Sequence, residues 1–60
     1  MTWTAHLVGH AESPDAEEQI LANLRAVTHQ IADVEGNGLV SATATMQHEG
    51  HVDLGEGLAG

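Results

Sequence analysis

A small α+β module, built as a strand, a long helix and a second strand, follows from three features of this 60-residue chain. Residues 2–10 alternate with period two, and residues 39–47 do so again. Between them, apolar side chains recur every three or four positions from Ile20 to Val34, which is the period of a helix with one apolar stripe. A short third strand after Gly50 is the expected addition. A sheet of two or three strands with one helix leaves edges that neighbouring chains are expected to complete.

Each element has its own signals. In the first strand Trp3, Ala5, Leu7 and Gly9 share one face, and Thr2, Thr4, His6, Val8 and His10 share the other. Ser13 is a strong N-cap, Pro14 suits the first helical position, and Asp15, Glu17 and Glu18 sit where the helix dipole favours negative charge. The stripe Ile20, Leu24, Val27, Ile31 and Val34 predicts a helix from Pro14 to Asp33 or Val34, packed by that stripe on the strands. Gly36 or Asn37 is expected to end it with a left-handed cap. In the second strand Val40, Ala42, Ala44 and Met46 form the apolar face, and Ser41, Thr43, Thr45 and Gln47 form the wet face, with Leu39 at the edge of the wet one. His48, Glu49 and Gly50 suit a turn, and His51 to Leu54 a short strand. The chain therefore reads as one module over residues 1–54 and a flexible Gly-rich tail over 55–60.

Composition narrows the function. There is no Phe, no Tyr and no Cys, and many apolar positions are Ala, so the core is thin and no disulfide braces it. Small domains of this kind rely on a metal, on self-assembly or on a larger partner. The formal charge is −8, and Arg25 is the one strong cation, which excludes nucleic acid and anionic membranes as direct partners. The opening Met1-Thr2-Trp3-Thr4-Ala5 has no basic or apolar signal region, and no run approaches the roughly 20 residues of a membrane span. The expectation is a soluble protein made in a cytoplasm.

Catalytic chemistry is not legible. The five histidines are the unusual feature. His6 and His10 lie roughly 13 Å apart on one strand face, too far to chelate one ion. His48 and His51 flank a Gly and could meet in a turn beside Glu49 and Asp53, but they lack the spacing of a zinc module, so no metal is expected. His29 falls off the main helix stripe and is expected to be exposed. Asp15, Glu17 and Glu18 all read as helix-start carboxylates. Ser13 is a cap rather than a nucleophile, and no triad can be assembled. Gly36-Asn37-Gly38 follows a helix where a phosphate loop would precede one. No cofactor is expected. What remains is protein contact: Trp3, Leu7, Val40, Met46, Val52, Leu54 and Leu58 are the interface candidates, the contact is expected to use sheet edges or the extended segment from His48 to Gly60, and the Gly-rich end is expected to become ordered only on docking.

Two resemblances bear on this. Met1-Thr2-Trp3-Thr4-Ala5-His6, Gly38-Leu39-Val40-Ser41-Ala42-Thr43-Ala44-Thr45-Met46 and Gly50-His51-Val52-Asp53-Leu54 resemble small virion-associated proteins of tailed phages that infect actinobacteria. That resemblance implies a structural subunit without catalysis, a capsid decoration or minor head–tail component, docked in many copies on virion proteins or on copies of itself after synthesis in the host cytoplasm. The order strand, long helix, strand in a short acidic chain is also similar to dodecins, flavin-storing dodecamers, which implies the alternative of a small-ligand-binding homo-oligomer. Dodecins carry their flavin-stacking Trp after the helix, whereas Trp3 precedes it here.

Overall fold

The computed structural model describes residues 1–56 and 58, in the order β1 (Trp3–Gly9), α1 (Pro14–Ala32), β2 (Leu39–Met46) and β3 (Gly50–Glu56). The three strands form one mixed sheet in the order β1-β2-β3. β1 and β2 are parallel neighbours joined through α1, and β2 and β3 are antiparallel. The expected strand–helix–strand module with a third strand is therefore the fold, and no foreign strand separates β1 from β2.

Local chemistry sets the boundaries. The Ser13 hydroxyl accepts from the Ala16 N–H at 3.1 Å, so the capping residue does its expected work. The far end differs from the left-handed cap expected at Gly36 or Asn37. Asp33 ends the helix in an ordinary right-handed conformation, and Asn37 caps it by its side chain instead. The Asn37 amide donates to the Ala32 and Val34 carbonyls at 2.8 and 3.0 Å, and its oxygen accepts from the Leu39 N–H at 2.6 Å. Gly36 and Gly38 on either side take φ of 75°, which frees Asn37 to hold that pose.

One helix covers one face of the sheet. The buried apolar core is Leu21 from α1, Leu39, Ala42, Ala44 and Met46 from β2, and Leu54 from β3. Gly9 lies opposite Met46, where a Cβ would meet the sulfur at 3.1 Å, so the missing side chain makes room for the thioether. The expected face Val40–Ala42–Ala44–Met46 is wrong at its first member. Trp3 pairs with Leu39 and Thr4 with Ser41, so Val40 is an extra residue in the ladder. The irregularity turns Leu39 inward to near-complete burial and leaves Val40 half-buried.

The C-terminal boundary moves as well. β3 runs on through Gly55 and Glu56, and the Leu58 N–H donates to the Val40 carbonyl at 3.0 Å. A Cβ on Gly55 would lie 3.0 Å from the Leu58 side chain, so this glycine is the seat on which Leu58 rests. Residues 55, 56 and 58 thus belong to the folded unit rather than to a tail, and the expected flexibility of 57, 59 and 60 lies outside the described residues. The expectation that the Gly-rich end becomes ordered only on docking is overturned at Gly55 and Glu56, which pair with Ala42 and Ser41 in this chain's own sheet.

Candidate functional site

The helix does not sit where its main stripe alone would put it. Leu21, Leu24 and Thr28 face the core together with Glu17, a line with spacing four, three, four. Ile20, Val27, Ile31 and Val34, the rest of the expected stripe, are each more than a third exposed. Turning by about 100° per residue, Ile20, Val27 and Ile31 fall on the flank of α1 next to the core line, and Val34 follows just past the helix end. The cause is placement: α1 packs across β2 and β3 and makes no close approach to β1. The inner face of β1 is left uncovered, with Trp3 40% and Leu7 43% exposed.

Between that bare strand and the helix flank runs an open groove of about 390 Å³. Trp3, Ala5 and Leu7 form one wall, Leu24, Val27 and Ile31 the other, and Leu39 and Ala42 lie at the base. Its two polar neighbours are occupied elsewhere. The Thr28 hydroxyl donates to the Leu24 carbonyl at 2.8 Å, and the His6 ring shares a 2.7 Å hydrogen bond with the Thr43 hydroxyl. A groove of this size is large enough for a ligand, but small-ligand sites also hold a few convergent polar groups that fix orientation. Here the walls offer shape and apolar area.

Trp3 is held in place rather than free to collapse. Its indole N–H donates to the Asn37 carbonyl at 2.7 Å, and its backbone N–H donates to the Gly38 carbonyl at 2.9 Å. Asn37 thereby ties three things together: the helix end, the start of β2 and the indole. A ring fixed at both ends of its own residue presents its face at little entropic cost, as an interface anchor should.

The second notable cluster is buried. Glu17 has no exposed surface. Its carboxylate accepts from the His48 and Glu49 backbone N–H groups at 2.8 and 3.0 Å, from the His48 ring Nδ1 at 2.6 Å, and more loosely from the Ala11 N–H at 3.4 Å. An ionised carboxylate only accepts, so the Nδ1 of His48 carries the hydrogen. Burial works against the charged form. The hydrogen bonds from Glu49, from the His48 ring and backbone, and from Ala11 outweigh it and lower the carboxyl from 4.5 to about 2. Such a group is a weak proton acceptor with no access to solvent. It works as a latch between the start of α1 and the β2–β3 turn.

This corrects the reading of Glu17 as one more helix-start carboxylate. The signal was in its phase: Glu17 lies four residues before Leu21, on the core line, whereas Asp15 and Glu18 do not. The same latch takes His48 away from the turn site imagined with His51. His51 instead lies on the outer sheet face, its ring centroid 6.0 Å from that of His6 and its Nδ1 3.3 Å from the Thr45 hydroxyl. Among the described residues no three His, Asp or Glu side chains converge to hold a metal ion. His29 is exposed, as its phase on the helix predicts.

The interface candidates divide. Trp3 and Leu7 line the groove. Met46 and Leu54 are buried in this chain's own core and offer no surface, because α1 lies over the β2–β3 half of the sheet. Val52 packs partly against the same core. Val40 and Leu58 are half-buried and joined by the Leu58–Val40 hydrogen bond. Sequence reasoning missed Val27 and Ile31 as groove residues because it spent the stripe on intramolecular packing. Among the described residues no helix is long and apolar enough to cross a membrane. Comparison with protein-family models, with curated proteins and with solved structures finds no match to this chain.

Proposed function

We propose that this chain is a non-catalytic interaction subunit that docks on a larger protein assembly through the β1 side of its sheet. The observation that carries this reading is the apolar groove between β1 and α1, bordered by a fixed, part-exposed Trp3. Monomeric surfaces scatter their large apolar residues, whereas contiguous patches mark contact sites. The resemblance of the opening and of the β2–β3 segment to small virion-associated proteins favours a phage particle as the assembly, with this chain as a decoration or minor head–tail component. The dodecin alternative gains nothing from Trp3, which stands before the helix with its indole nitrogen engaged by Asn37.

The test is a photo-crosslinking residue placed at Val27, in the groove wall, or at Ala26, exposed about 100° further round the same helix and outside the groove lining. The expected result is a discrete protein adduct from Val27 and none from Ala26, the adduct partner being identified by mass and recovered reciprocally with the untagged chain. Equal labelling from both positions, or none from either, sinks the docking reading. For the particle, peptides of this chain at a fixed ratio to capsid protein in purified virions are expected. Their confinement to the unassembled fraction sinks that part.

A further inference from the structure

The two free edges of the sheet are unlike. The β3 edge carries Asp53 and Glu56, its pairing with β2 is interrupted between Ala42 and Thr43, and Arg25 reaches over it to the Asp53 carbonyl at 3.2 Å. Charges and irregularities of that kind guard an edge against strand addition. The β1 edge has no such guard. Trp3 to Gly9 contains no Asp, Glu, Lys, Arg or Pro, and all seven residues pair with β2, the one register shift, between Trp3 and Thr4, being taken up by the extra residue Val40 on β2. The Trp3 N–H points at β2, so by alternation the N–H and C=O groups of Thr4, His6 and Val8 point outward at the free edge. This open row runs beside the apolar groove, on the same side of the molecule.

Charge says what covers it. The chain carries nine carboxylates and a net charge of −8. None lies in β1, and none lies on the helix flank formed by Ile20, Val27 and Ile31. At 100° per residue, Asp15, Glu18 and Asp33 project from the other side of α1. A basic partner is recognised by carboxylates, and this face has none to offer. A second copy brings eight more negative charges, and juxtaposed like charges are strongly unfavourable. Two copies can meet only through uncharged surface, and the β1 side is such a surface.

We infer that the β1 edge and its groove form the two-fold interface of a homodimer, in which β1 pairs antiparallel with β1 of a second copy and the two sheets become one of six strands. The inference rests on the docking reading above and names its partner. The outward groups of Thr4, His6 and Val8 centre on His6, so a two-fold axis there pairs Thr4 with Val8 of the second copy and satisfies the row. The same register sets Trp3 across from Gly9 and Ala5 across from Leu7, a large side chain facing a small one at each place. The two grooves then merge on one face, where each copy's indole and helix flank complete the other's. A standard interface takes about 800 Å² from each partner, and the chain exposes 4022 Å² in all.

Sedimentation equilibrium of the full chain, from about 1 to about 200 µM, tests this. A reversible dimer is expected that holds or tightens between about 0.15 and about 1 M salt, because screening relieves the repulsion between the two acidic copies. Val27→Glu puts a charge into the groove at an exposed position and should weaken association at least about tenfold with helix content unchanged. Val8→Pro removes an outward N–H and should weaken it as well, while Ala26→Glu should leave it unaltered. A wild-type chain that stays monomeric throughout overturns the dimer. So does a dimer indifferent to both Val27→Glu and Val8→Pro. The crosslinker at Val27 separates the two readings: an adduct at twice the chain mass supports the dimer, an adduct only with another protein overturns the dimer and keeps the docking face, and no adduct overturns both.

Discussion

Leu54→Ala set against Val27→Ala tests where the helix sits. Leu54 is 2% exposed and packs in the cluster of Leu21, Ala42, Ala44 and Met46. Two of those neighbours are alanines on a strand held from both sides, so they cannot move in to fill the space. Truncation of a buried leucine costs about 2–5 kcal/mol, and a site that cannot collapse belongs in the upper part of that range, about 4 kcal/mol. A chain of this length has roughly 3–9 kcal/mol of stability in total, so this one change removes about half of it or more. With about 4–8 °C lost per kcal/mol in small domains, the melting temperature should fall by at least about 15 °C. Val27 is 47% exposed. Its two methyl groups contribute roughly 0.8 kcal/mol each when fully buried, and about half of that here. The better helix propensity of Ala returns a few tenths of a kcal/mol, so Val27→Ala should stay within about 1 kcal/mol of wild type in the isolated chain. Thermal melts followed by circular dichroism at two protein concentrations measure both, and the second concentration exposes any share due to association. Similar losses at the two positions in the dilute sample would refute the reasoning, because they would mean that the Ile20–Val27–Ile31 flank faces the core.

Two further outcomes are expected. Glu17 has a carboxyl lowered from 4.5 to about 2; since the folded value lies below the unfolded one, its contribution is fully present above about pH 4.5 and is lost as the pH falls towards about 2. An acid titration should therefore show less loss of stability across that window in Glu17→Gln, which starts less stable at neutral pH because an amide cannot accept from all four donors. Parallel acid profiles for the two proteins would refute the latch. Gly38→Ala should destabilise the fold and loosen the indole: φ there is 75°, and a Cβ would collide with the Met1 carbonyl oxygen. Unaltered Trp3 fluorescence and an unchanged melt would show that the turn tolerates a side chain.

The elements were legible because each is written in a local code. Period-two alternation, Ser13 with Pro14, and the three–four repeat of the helix all act within a few residues of themselves. What was not legible depended on how elements meet. The long stripe said that a wide helix flank is apolar but not that β1 would lie beyond its reach, so four of its five residues were spent on a core that does not include them. Val40 and Leu39 exchanged roles because an irregularity in pairing leaves no trace in alternation. Glu17 was hidden by good company: in a first turn rich in carboxylates, only its phase with Leu21, Leu24 and Thr28 marks it as the one turned inward. The groove was half visible, in Trp3 and Leu7. Its helical wall had been read as interior.

The Glu17 latch also sets an order on synthesis. The carboxylate and its backbone donors at His48 and Glu49 stand 31 and 32 positions apart in a chain of 60. A ribosome delivers the amino terminus first, so α1 leaves with a charged group aimed at an interior that does not yet exist. Until the β2–β3 turn has emerged, the helix is better served by keeping its first turn in water than by docking. The closing of that turn is thus the event that lets the helix settle on the sheet, and a nascent chain halted before residue 48 should behave as an undocked, protease-sensitive segment however much helix it has formed.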